Sequence, residues 1–308
     1  MNGAGIEPVL LGHNPFFGVD HLSRAAGNAK AARFADTTRV MEVLLGCHEL
    51  GVRGMVLPSA PRAAELCRAI AGQPDLDREW QLYPLIPYLQ KHVLGASEKG
   101  LVTRVMDTLP QASAWQKVSL LWQGGRGMLR RDVEQGLRLL IDVEMVGFNG
   151  RRLGAVFLHD ALTDLALGLG VEAIFKVFRD HVGRKYGVPA GLATKNLPWL
   201  CARLAQMGWE RPLVMAALNA RGFRVNPSLA ACEELLRGAA GVTVVAAGTL
   251  AGGALEPEVA YRYLAQFPAI RSVVVGVSSQ AHVAETVGAI RRFMPCAGAQ
   301  NGQPLGVD

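Results

Sequence analysis

Short, nearly unbroken apolar runs recur along the chain, each ending at a glycine, a proline or a polar residue and each followed by a longer segment with apolar positions at helical spacing. The runs are Pro8–Leu11, Gly54–Leu57, Gln81–Pro87, Gly154–Leu158, Pro189–Ala193, Pro212–Leu218, Val242–Ala247 and Arg271–Val275. Runs of this length and composition predict strands buried on both faces, as in a parallel sheet. Between them, Val40, Val43, Leu44 and Cys47 mark a helix over 37–50 that stops at Gly51. Ala63, Leu66, Cys67 and Ile70 mark a second behind Pro61, a residue tolerated in a first turn. Further helices are predicted over 133–146, around Ile174, Phe175, Phe178 and Val182 up to Gly187, from Pro198, over 257–266, and around Val283, Val287 and Ile290. Asn226 as cap, Pro227 at the first position and Gly238 past the end predict one more.

Eight strands alternating with eight helices predict a single-domain α/β chain, a closed (β/α)8 TIM barrel over 1–308. An open doubly wound sheet is the alternative, but no G-x-G-x-x-G follows the first strand. In a barrel the carboxyl ends of the strands share one face, and the last two loops there often hold phosphate. Those loops read GTLAGG and GVSSQAH, with Ser278 and Ser279 suited to cap a helix and present its amides to an anion. Residues 89–130 form a long irregular insertion after strand three, expected to cover the active site. Residues 295–308 are expected to be a flexible tail.

Composition narrows the class. With 308 residues, 50% hydrophobic, 19% charged and a mean hydropathy of +0.19, the chain can build a large core and is not disordered. No apolar run approaches the ~18 residues that span a bilayer, and the amino terminus lacks a basic stretch before its apolar run, so no membrane partner and a cytoplasmic location are expected. The net charge of +6 is spread singly over helices, which argues against nucleic acid. Its densest patch, Arg126, Arg130 and Arg131 beside Lys117, suits an anionic small-molecule substrate. The five cysteines form no C-x-x-C pair, and Cys47, Cys67, Cys201 and Cys232 fall among apolar helix positions.

The order LHDAL, GLATKN, AALN, VVAAGTLAGGAL and SVVVGVSSQAHVAETV after strands four to eight resembles the aldo-keto reductase superfamily, and LGHNPFFG resembles its opening turn. The resemblance implies a barrel binding NADP(H) across its mouth. It places His159 on the family's catalytic histidine, Asn196 on a residue contacting the nicotinamide amide, and Ser278, Ser279 and His282 where the adenosine phosphate is held. Asn219, Gly248, Thr249, Leu250 and Gly276 complete the expected cofactor set. The chain departs from the pattern where the family carries an Asp and a Tyr after strand two and a Lys at the end of strand three. Here strand two leads into Pro58-Ser59-Ala60-Pro61, and strand three into Pro87-Tyr88 with Lys91 displaced beyond it. A replacement acid must come from His13, Asp20, His21, Tyr88 or His159 with Asp160, all predicted at strand ends. The first reading is therefore an NAD(P)H-linked oxidoreductase of small carbonyl or hydroxyl compounds. The second is a non-redox isomerase, lyase or cyclase, with His13, Asp20, His21 and His159 as acid-base groups or metal ligands. The His13 to His21 spacing matches no ligand pattern, so a metal is not expected.

Overall fold

A computed structural model describes residues 6–20, 22–88, 130–238, 241–276 and 279–294. Eight parallel strands close into a barrel in sequence order: β1 (Val9–Gly12), β2 (Gly54–Pro58), β3 (Gln81–Ile86), β4 (Val156–Leu158), β5 (Ala190–Thr194), β6 (Leu213–Ala217), β7 (Thr243–Ala247) and β8 (Ile270–Val275). The ring shuts where Val9, Leu10 and Leu11 pair with Val273, Val274 and Val275. The expected (β/α)8 barrel is what the chain forms.

Two cores follow from the period of two along each strand. Outward-facing residues such as Leu11, Met55, Leu158 and Leu192 pack against the helices. Inward-facing Leu10, Val56, Tyr83, Phe157, Ala193, Met215 and Val245 fill the barrel itself. Glycines make room for the two interior rings. A Cβ on Gly154 would lie 2.2 Å from the Tyr83 ring, and one on Gly191 would lie 2.4 Å from Phe157. At the amino-terminal end of the barrel, Tyr83 Oη accepts from the Glu7 N–H at 3.0 Å and Ser272 Oγ donates to the Glu7 carbonyl at 2.7 Å.

The helices are α1 (Arg24–Arg33), α2 (Thr37–Glu49), α3 (Pro61–Ala71), α4 (Pro74–Glu79), α5 (Arg130–Met145), α6 (Asp160–Gly168), α7 (Ala173–Tyr186), α8 (Leu197–Gln206), α9 (Leu229–Gly238), α10 (Pro257–Leu264) and α11 (Gln280–Phe293). α1, α4 and α6 are additions to the predicted set. The expected start of α9 needs correction. Asn226 does not cap it; Asn226 pairs with Asn196 in an isolated bridge, and Ser228 Oγ accepts from the Ala231 N–H at 3.1 Å, so the helix begins two residues later and runs through Gly238. The expected Gly187 stop is present, at φ 69°. Cys47, Cys67, Cys201 and Cys232 are buried free thiols, as their apolar neighbours imply. Among the described residues, no helix is long and apolar enough to cross a membrane. The insertion 89–130, apart from the start of α5, lies outside the described residues, as do the tail 295–308, Lys91, Lys117 and Arg126.

Candidate active site

His159 and Lys195 stand two residues beyond Phe157 and Ala193, so each continues the inward face of its strand as the chain leaves the barrel. The register that sets Phe157 beside Gly191 brings these two strand ends together. His159 Nδ1 lies 2.7 Å from Asp160 Oδ1, and the other Asp160 oxygen pairs with Lys195 Nζ. The Ala161 N–H lies 3.2 Å from His159 Nδ1 and 2.9 Å from Asp160 Oδ1. The carboxylate can only accept, so Nδ1 carries its proton toward Asp160; the Ala161 N–H then donates to the same oxygen at 2.9 Å, and its 3.2 Å approach to Nδ1 is a contact and not a hydrogen bond. The Nε2 edge meets no protein partner among the described residues, and His159 is 28% exposed.

The two carboxylates of this strand end are pushed in opposite directions. Burial raises the Asp160 pKa, but the hydrogen bond and charge of His159, followed by Lys195, outweigh burial and hold the carboxyl well below the usual range. Asp164, one turn further along α6, is raised, mainly by burial, despite accepting from Thr194 Oγ1 at 2.5 Å and the Lys195 N–H at 2.9 Å. Neighbouring groups whose pKa values are pushed apart are a feature of acid-base sites. Asn196 belongs to the same corner; its Oδ1 accepts from the Trp199 N–H at 3.2 Å and so caps α8.

On the neighbouring rim, His13 Nδ1 donates to the Val56 carbonyl at 3.2 Å, and its ring stands edge-on to Phe17. The Tyr88 N–H lies 3.1 Å from both Ser59 Oγ and Glu144 Oε2, and Ser59 itself donates to that carboxylate. Burial pushes the Tyr88 phenol above its ordinary value. Asp20 is committed to its own loop. Lys30 sits 2.6 Å from one oxygen, the Leu22 and Ser23 N–H groups each sit 2.9 Å from the other, and Lys30 followed by those amides holds the carboxyl well below the usual range. His21 lies outside the described residues. Among the described residues, no three His, Cys, Asp or Glu side chains come together as a metal would require.

The expected cofactor residues divide into two groups. Asn219 is fully buried, with its amide donating to the Phe223 and Gly248 carbonyls and accepting from the Phe223 N–H, so it ties the loops after β6 and β7 together. Thr249 is buried with its hydroxyl 3.2 Å from Tyr261 Oη, and Leu250 is half-buried. The open group comprises Gly248, at φ 61° with nothing near its missing Cβ, the exposed Gly276, and the first turn of α11, where Ser279 Oγ accepts from the N–H of exposed His282 at 3.4 Å. Ser278 lies outside the described residues. Lys195, Asp164 and the Ser59–Glu144 pair were not singled out in advance. Strand parity alone would have pointed to Lys195, whereas Glu144 reaches the rim only through tertiary packing.

No protein-family model matches this chain, and no curated protein does. Solved structures do. A protein of Pseudomonas aeruginosa assigned as an aldo-keto reductase superposes with a TM-score of 0.58 at 15% identity, over 94% of this chain and 90% of its own. A protein assigned as a 2,5-diketo-D-gluconic acid reductase B gives 0.56 at 13% identity over 100% and 93%. The holo form of an aldo-keto reductase from Bacillus halodurans gives 0.55 at 12% over 94% and 89%. At such identity these likenesses establish that the chain shares the (β/α)8 barrel fold of these proteins.

Proposed function

We propose that the protein is an aldo-keto-reductase-like oxidoreductase in which His159 moves the proton. The supporting observation is the His159–Asp160–Lys195 chain at the ends of β4 and β5, with Nε2 turned away from its carboxylate partner. Asp160 fixes the ring orientation and the Nδ1 tautomer, as in other carboxylate–imidazole pairs. In the reducing direction, Nε2 gives its proton to the carbonyl oxygen; in the oxidising direction, it takes the proton of the alcohol. Burial makes the half-buried Tyr88 phenol a weaker acid than an ordinary tyrosine, so it is the poorer donor.

A nicotinamide cofactor fits the open donor groups better than the buried ones. Gly248, Gly276, Ser279 and His282 would hold its phosphates, and the remaining Asn196 amide group its carboxamide. When bound, it supplies or accepts the hydride. The buried amide of Asn219 would serve by fixing the loop that carries Gly248.

Titrating the protein with NADPH while following tryptophan fluorescence tests this reading. Saturable quenching is expected, and His159→Ala should retain it while losing turnover of carbonyl substrates. No quenching at near-millimolar NADPH, with His159-dependent turnover in its absence, would favour the non-redox acid-base reading instead. The opposed pKa shifts of Asp160 and Asp164, beside a His159 whose Nε2 edge meets no protein partner among the described residues, are what keep that second reading in view.

A further inference from the structure

Arg62 is the second residue of α3, the helix that leaves the carboxyl end of β2. Helical side chains lean toward the helix amino terminus, which for α3 is the end at the barrel mouth. Arg62 is half-buried, but its Nε and Nη2 are shielded from solvent and have no hydrogen-bond partner among the described residues. These two atoms form one edge of the guanidinium, the fork that matches two oxygens of a carboxylate or phosphate. Other arginines of the barrel surroundings do not share this state: Arg53 faces Glu79, Arg151 faces Asp77 and Arg203 faces Glu172. The helix start beside it has no capping or acidic side chain of its own, and the nearby Glu144 carboxylate is taken by Ser59 and the Tyr88 N–H.

A shielded guanidinium edge without a counter-ion is costly unless an anion completes it. We propose that Arg62 binds an anionic group of the substrate through Nε and Nη2, so that the substrate is a carbonyl or hydroxyl compound bearing a carboxylate or phosphate. This rests on the reading that the barrel mouth takes the substrate, but not on hydride transfer.

Calorimetric titration of the protein with malonate and, separately, with inorganic phosphate tests it without cofactor or turnover, so a failure of NADPH binding leaves the result readable. The wild type is expected to bind at least one of the two saturably, and which one identifies the anion class. Arg62→Gln should weaken that binding at least tenfold, Arg62→Lys should weaken it less, and Arg68→Gln, on the exposed side of α3, should leave it unchanged. In anion-free buffer, Arg62→Met should melt no lower than the wild type, because it removes an uncompensated charge. The proposal is overturned if neither anion binds saturably, if Arg62→Gln binds as the wild type does, or if Arg62→Met melts several degrees lower.

Discussion

Asp160 concentrates at one residue the opposing forces that make the site. It is largely buried, which disfavours its charge, yet it accepts from His159, Lys195 and the Ala161 N–H and stays ionised well below the usual carboxylate range. A carboxyl whose folded pKa lies below its unfolded one stabilises the fold fully above the ordinary carboxylate pKa, and the contribution is lost as pH falls from there toward the folded value. Asp160→Asn keeps the shape and removes the charge. Urea titrations at pH 7 should show it less stable by about 1–2 kcal/mol, with the gap narrowing in steps below pH 4. A gap that is absent, or that widens in acid, would mean the carboxylate is not stabilised as its partners imply. The same substitution leaves His159 free to rotate and to change tautomer, so any turnover should fall further than stability does.

At the scale of elements, the barrel interior depends on small residues opposite large ones. Gly191 on β5 faces the Phe157 ring so closely that a methyl group would overlap it, and the ring is wholly buried. Gly191→Ala should destabilise the fold by roughly 1–3 kcal/mol. Adding Phe157→Leu should recover part of that loss, because the two sites share one space; additive losses in denaturant titrations would contradict it. The strands were legible in the sequence because each is an apolar run cut off by glycine, proline or a polar residue, and their predicted ends fall within a residue or two of the observed ones. α1 was not, since only Gly27 of its ten residues is buried and no apolar stripe marks it. α4 is a six-residue helix with one buried residue, Leu76, and α6 begins directly behind His159 without a break in the chain's pattern. At α9 the cap-and-proline signature was misleading because Ser228, two residues on, competes for the same duty.

Across the whole molecule, what the sequence could not carry was contact between distant strand ends. His159 was legible because it ends an apolar run, but its bond to Asp160 gains meaning only when Lys195 arrives from β5, and that depends on the register of β4 against β5. The state of Arg62 is likewise a property of its surroundings, not of its spacing. The ring itself is the extreme case, since it closes only when the first strand meets the last. The Val273 N–H donates to the Pro8 carbonyl at 3.0 Å, much as the Val156 N–H donates to Pro189 on the opposite side at 3.0 Å. An open ring would expose the edges of β1 and β8 and the interior around Leu10, so no cheap local opening is available at the seam. Native-state hydrogen exchange in low denaturant should therefore show the Val273 amide exchanging within about 1 kcal/mol of Val156, both by global unfolding. Much earlier exchange at Val273 would mean that β8 and α11 detach as a unit. The loop at Gly276 and the helix start at Ser279 would then be parts of a movable arm, and their place in the proposed cofactor site would depend on that arm being closed.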